Sequence, residues 1–145
     1  MTELLTGREV SFLIDLGLAL LCGLLIGGER ELKGKPAGIS TQTLVISGSM
    51  IFTFLSAAQE GGTARIAAQV VSGIGFLGAG LIIKSKEDRR VDNVTTAASI
   101  WYSAAIGMAL GFGFHVVAVL GAVYAVLISR IPNLPSRKRT NHTDV

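Results

Sequence analysis

RIAAQVVSGIGFLGAGLIIK, residues 65–84, decides the class of this protein. It is long and apolar enough to cross a membrane, for which roughly 20 such residues are needed. Yet it opens with Arg65, carries Gln69 and Ser72, and holds Gly73, Gly75, Gly78 and Gly80. In a lipid-crossing helix the polar atoms of such residues must meet protein or water instead of hydrocarbon.

Working outward, the same kind of run recurs. Apolar stretches cover Val10 to Gly28, Thr41 to Ala58, Arg65 to Lys84, Val94 to Phe112 and His115 to Ile131, separated by short charged or glycine-containing breaks. Half of the 145 residues are hydrophobic, 16% are charged and 18 are glycine, against about 25% charged and ~7% glycine in soluble domains. A soluble helical core is excluded, because a chain this short lacks the polar surface to bury runs of that length. The sequence therefore predicts an all-α, polytopic membrane domain of five transmembrane helices over residues 1–131. The first run is not a signal peptide: residues 1–9 hold one Arg and two Glu, the apolar stretch is too long, and no clean small-residue cleavage site follows.

Five spans place Arg30, Lys33, Lys35, Lys84, Lys86, Arg89, Arg90, Arg130, Arg137, Lys138 and Arg139 on one side, and only Arg8 and Arg65 on the other. By the positive-inside rule the N-terminus faces out and the C-terminus faces the cytoplasm. The tail PNLPSRKRTNHTDV, residues 132–145, has two prolines and no apolar period, and reads as a short, basic, disordered segment. Its charges either hold the topology or attract anionic lipid.

Catalytic and cofactor motifs are missing from the sequence. There is no phosphate-binding glycine loop ending in Lys and Ser or Thr, no nucleophile elbow and no paired cysteines. Cys22 is alone within the first run, and His115 and His142 lack the company a metal site needs. The expectation is a protein with no catalytic residues, no cofactor, no metal ligands and no nucleic-acid partner.

Three segments together resemble the MgtC/SapB family: GLLIGGERELKGKPAGIST at 23–41, RIAAQVVSGIGFLGAG at 65–80 and VTTAASIWYSAAIGMALG at 94–111. The resemblance runs over about residues 10–131. It implies a small bacterial inner-membrane protein of about five spans, associated with adaptation to low magnesium and, in some pathogens, with survival inside macrophages. It also implies action on the proton-driven ATP synthase in place of magnesium transport. Longer members add a soluble C-terminal regulatory domain, so a function housed there is expected to be absent here. Two departures from the family pattern, Asn93-Val94-Thr95 and Ser40, lie on the cytoplasmic side, where partner contacts are expected to differ.

The embedded polar residues fall into two layers. Asp15, Arg65 and Gln69 lie in the outer third of their helices, while Glu29, Arg30, Asn93, Thr95 and Thr96 gather at the cytoplasmic ends. An ionisable residue inside a span costs at least ~2.5 kcal/mol on insertion scales, so it seeks protein or water and a partner. For the inner group two readings stand: a polar vestibule or docking site, or ordinary end chemistry with Asp92 or Asn93 capping the fourth helix. For Asp15 the choices are a pairing with Arg65, an external cation ligand, or snorkelling to the surface. Trp101 and Tyr102, deeper than an interfacial belt, are expected to pack or hydrogen-bond within the bundle.

Small residues supply the packing signal, with pairs such as Gly23 and Gly27 or Gly107 and Gly111 at close-approach spacing. In the third helix, Gly75 and Gly78 lie nearly opposite the side carrying Arg65, Gln69, Ser72, Gly73 and Gly80. Two small-residue faces imply neighbours on both sides, hence a central, lipid-shielded third helix; the alternative is a helix that breaks near Gly75 beside a pore. Two functions remain in view. One is a non-catalytic regulator that binds other membrane proteins, ATP synthase subunits among them. The other is a small oligomeric transporter or channel for Mg²⁺ or another ion.

Overall fold

The computed structural model describes residues 7–58, 63–84 and 91–131. These form five helices: α1 (Gly7–Leu32), α2 (Ile39–Ala57), α3 (Thr63–Leu81), α4 (Val94–Gly111) and α5 (His115–Ser129). A two-residue antiparallel pair, β1 (Ile83–Lys84) with β2 (Val91–Asp92), joins α3 to α4. The third apolar run thus ends its helix at Leu81, and Ile83 and Lys84 turn into extended backbone. The all-α reading holds for the body of the fold, with this short ladder added. The tail at 132–145 and the cations Lys86, Arg89 and Arg90 lie outside the described residues.

α1, α2 and α4 are each long and apolar enough to cross a membrane; α3 between Arg65 and Leu81, and α5, are shorter apolar helices. α1 runs a few residues beyond its apolar run at both ends, and Gly34 at φ +61° stops it at the C-terminal end. The Gly34 N–H reaches the Glu31 carbonyl and the Lys35 N–H reaches the Arg30 carbonyl, both at 3.0 Å. Gly113 at φ +79° closes α4 in the same way, with the Phe114 N–H on the Ala109 carbonyl at 2.8 Å. Both are left-handed helix stops that favour glycine.

The centre of the bundle is the α2–α4 pair, with α1 against α2, and α5 against α1 and α4. α2 and α4 run parallel and almost touch through their backbones. A Cβ at Gly107 would collide with the Ile46 carbonyl oxygen, and one at Gly111 with the Met50 carbonyl oxygen and Thr53. On the other side of α2, Cβ atoms at Gly23 and Gly27 would strike Thr43 and Ile39. Ala19, Cys22, Ile26, Ile46, Met50, Ile106, Leu110, Ala118 and Ala122 fill the core so framed.

The third helix is not central. It packs chiefly on α4 and α2, and it does so through Ala67, Val70, Ile74, Gly78 and Leu81, which share one helical face. Gly78 sits in ordinary contact with Ala97, 3.7 Å away, whereas Gly73, Gly75 and Gly80 face open space. Two opposed glycine faces pointed to neighbours on both sides, but a glycine face does not by itself bring a neighbour: within the chain only Gly78 is met, and apolar shape complementarity decides which face packs. Trp101, 49% exposed, likewise turns out of the bundle, while Tyr102 packs against the core.

Gly107→Leu is expected to cost about 3 kcal/mol or more, since the obstacle is backbone that cannot swing aside. Gly80→Leu, with nothing to strike, should leave the unfolding midpoint in detergent nearly unchanged. Circular dichroism melts of both variants check this.

Candidate functional site

The charged run Glu29-Arg30-Glu31 closes α1, and successive residues point about 100° apart, so each meets a different neighbour. Arg30 turns inward and is 2% exposed. Its Nε donates to the carbonyls of Pro36 at 3.0 Å and Ala37 at 3.1 Å; its Nη2 donates to Pro36 O and to Thr96 Oγ1 of α4, both at 2.7 Å. The loop offers these carbonyls because Pro36 cannot continue a helix and Ala37 holds φ +60°. A left-handed alanine costs about 1–3 kcal/mol and persists only where surroundings fix it; the guanidinium does so here.

Gln42, fully buried one turn into α2, extends the network. Its amide Nε2 donates to Ala37 O at 3.2 Å and to Ser99 Oγ at 3.1 Å, and its Oε1 accepts from Ser103 Oγ at 2.5 Å. Ser99 Oγ donates in turn to Thr96 O at 3.0 Å. The Ala37 carbonyl is therefore shared by Arg30 and Gln42, and α1, α2 and α4 are locked at one end by a continuous polar chain.

The flanking acids take other tasks. Glu31 Oε1 accepts the Ile39 N–H at 2.9 Å, which serves the first turn of α2, whose N-cap Gly38 has no side chain. Glu29 forms an ion pair with Lys33. Lys33 Nζ also donates to the Ser129 carbonyl at 2.5 Å, a cation at the negative end of α5. Of the predicted inner group, Arg30 and Thr96 are joined directly. Glu29 faces away toward Lys33, and Thr95 is exposed on a cleft between α4 and α5. Asn93 precedes α4 at φ +65° and supplies no side-chain cap, so of the two capping candidates it is not the one, and the side chain of Asp92 lies outside the described residues.

At the other end, Asp15 is 4% exposed and meets His115, not Arg65: Oδ1 and Nε2 are 2.6 Å apart. Arg65, Gln69 and Ser72 are all exposed on the outward side of α3, together with Phe76 at 82%. Among the described residues, no three His, Cys, Asp or Glu side chains converge on a point that could hold a metal ion. Sequence reasoning passed over Glu31, Gln42, Ser99, Ser103 and His115. Gln42 and His115 were within reach of the rule applied to Gln69, that a polar group in a span needs a partner; the serines carry no such signal.

Residues 16–134 match the MgtC family. The chain belongs to that family. It is 42% identical over 115 residues to Protein MgtC of Brucella abortus, which covers 78% of this chain and 48% of that protein. It is 39% identical over 135 residues to Protein MgtC of Salmonella choleraesuis, covering 92% and 57%. It is 38% identical over 130 residues to the putative magnesium transporter YhiD of Escherichia coli, covering 83% and 60%. The chain thus spans about half to three fifths of the length of these relatives. No solved structure matches it. Family membership and three helices of spanning length make this a membrane protein.

Gln42→Leu strands the Ser103 hydroxyl, leaves Ser99 only its bond to Thr96, and should cost about 1–3 kcal/mol; Arg30→Lys, which keeps the charge but loses the fork, should cost about 2 kcal/mol. The two share the Ala37 carbonyl, so the double variant should fall short of the sum, measured by reversible unfolding in micelles. For the opposite end, Asp15→Leu combined with His115→Leu should unfold at a higher temperature than Asp15→Leu or His115→Leu alone, because each single change leaves a buried or half-buried partner unpaired.

Proposed function

We propose that this protein is a non-catalytic, multi-pass protein of the bacterial inner membrane, linked to magnesium homeostasis, that acts by binding other membrane proteins. In this reading all five helices cross the bilayer, with the N-terminus outside and the C-terminal tail in the cytoplasm. The eleven-to-two division of cations supports that orientation. α3, at 19 residues, reaches about 28 Å, close to the hydrocarbon thickness. α5, at 15 residues, falls several Å short, a mismatch that local thinning and snorkelling cations absorb.

The observation that carries the reading is the outward face of α3. Gln69, Gly73, Phe76 and Gly80 follow one another at helical spacing, with Arg65 and Ser72 beside them, and all are exposed on the single chain. Left against lipid, the amide and hydroxyl would lack partners. Small residues beside polar ones suit close helix–helix association, in which interhelical hydrogen bonds form. The family resemblance nominates membrane subunits of the ATP synthase as the occupant; a second copy of the chain is the other candidate.

A second reading, a small oligomeric carrier of Mg²⁺ or another ion, draws on the name of the E. coli relative. Against it, Arg30, Gln42, Thr96, Ser99 and Ser103 are engaged with one another, the buried Thr43 and Thr53 hydroxyls that lack partners are neutral, and no carboxylate cage is present among the described residues.

Liposomes containing the purified protein should show no saturable Mg²⁺ or H⁺ flux, and cysteines placed at Gly73 or Gly80 in a Cys22→Ala background should crosslink to a membrane-protein partner, whereas one at Val119 should not. Saturable flux, or crosslinking indifferent to position, overturns the reading. A periplasm-dependent phosphatase should be silent when fused after Val145 and active when fused near Gly61; the reverse pattern inverts the topology.

A further inference from the structure

The cleft between α4 and α5 opens at the charged end of the bundle, away from α3. It has a volume of about 430 Å³ and its wall includes Arg30 and Lys35. Deeper in, Ser99, Tyr102 and Tyr124 contribute, and the sides are Ala98, Ala125 and Ile128. Thr95 and Tyr102 both line it, so it descends about 10 Å along α4 at 1.5 Å per residue. No acidic side chain among the described residues lines it.

The charge at its mouth is only partly compensated: Glu29 lies near enough to attract Arg30 and Lys35, but its carboxylate is paired with Lys33. Arg30 is nine-tenths buried and more, and its guanidinium meets only carbonyl and hydroxyl oxygens. Among the described residues no carboxylate forms an ion pair with it; Glu29, the next residue, is committed to Lys33. A buried cation without a paired anion is costly, and Lys35 adds a second positive charge to the same wall. A basic recess at headgroup depth that continues as an apolar channel matches a molecule with a phosphate at one end and hydrocarbon at the other. Basic pockets between membrane helices hold anionic headgroups on this principle.

We infer that the α4–α5 cleft is a binding site for one anionic glycerophospholipid, its phosphate held by Arg30 and Lys35 and one acyl chain laid between Tyr102, Tyr124 and Ile128. The inference needs only that the bundle lies in a bilayer. It is independent of which partner covers α3, and the residues 132–145 are themselves basic through Arg137, Lys138 and Arg139, so their charge does not suit the recess.

Native mass spectrometry of the full chain, exchanged into mixed micelles of equal phosphatidylglycerol and phosphatidylcholine, tests it. The wild-type protein should retain phosphatidylglycerol with a preference on the order of tenfold, two charges acting together. Lys35→Gln should lower that preference about fivefold, and Ala98→Trp, which fills the channel without changing charge, should abolish retention of both lipids. Lys35 and Ala98 take no part in the interhelical hydrogen bonds, so both variants keep the bundle, and unchanged helicity by circular dichroism checks that. Excess inorganic phosphate should not displace the lipid. Equal retention of the two lipids, retention unaffected by either substitution, or full displacement by phosphate alone would each overturn the assignment.

Discussion

The near-contact of two backbones, α2 and α4, governs the rest of this fold. Where the Ile46 carbonyl oxygen occupies the place of a Cβ at Gly107, and the Met50 carbonyl that of one at Gly111, the helices lie closer than larger side chains allow. In lipid this matters more than in water, because helix association gains little from excluding apolar surface and depends on dispersion and hydrogen bonding at short range. Close approach brings Gln42 within reach of Ser99 and Ser103. The polar chain that binds the charged end is thus a consequence of glycine placement two turns away.

That dependence explains which parts of the structure were legible in the sequence. Run lengths and short motifs are local properties: the first give the five helices, and the segments at 23–41, 65–80 and 94–111 give the family resemblance, without knowledge of packing. Gly23, Gly27, Gly107 and Gly111 were picked out by spacing, and each faces backbone or side-chain atoms of α2. The same spacing rule applied to α3 cannot say whether the neighbour belongs to this chain or to another. Gly73, Gly75 and Gly80 met nothing within the chain, since Ala67, Ile74 and Gly78 offered the better-fitting face. Partners 50 to 100 residues apart, Arg30 with Thr96 or Asp15 with His115, are set by helix order and register, which local pattern does not encode.

The two ends of the bundle are fastened differently, and the contrast bears on what the protein is for. At the end holding Arg30, charges, loop carbonyls and helix termini are woven through four elements, and Lys33 ties in α5 as well. At the other end, among the described residues, a carboxylate–imidazole contact joins α1 to α5, with His115 half exposed, and the Phe12 and Phe54 rings meet between α1 and α2. A permeation path needs polar groups that are free to exchange water or ions. Groups already satisfied by each other across three helices instead make a rigid scaffold. On the function proposed above, this rigid frame backs α3 where it packs on α2 and α4, so the stripe from Arg65 to Gly80 would have little ordering entropy to lose when a partner docks.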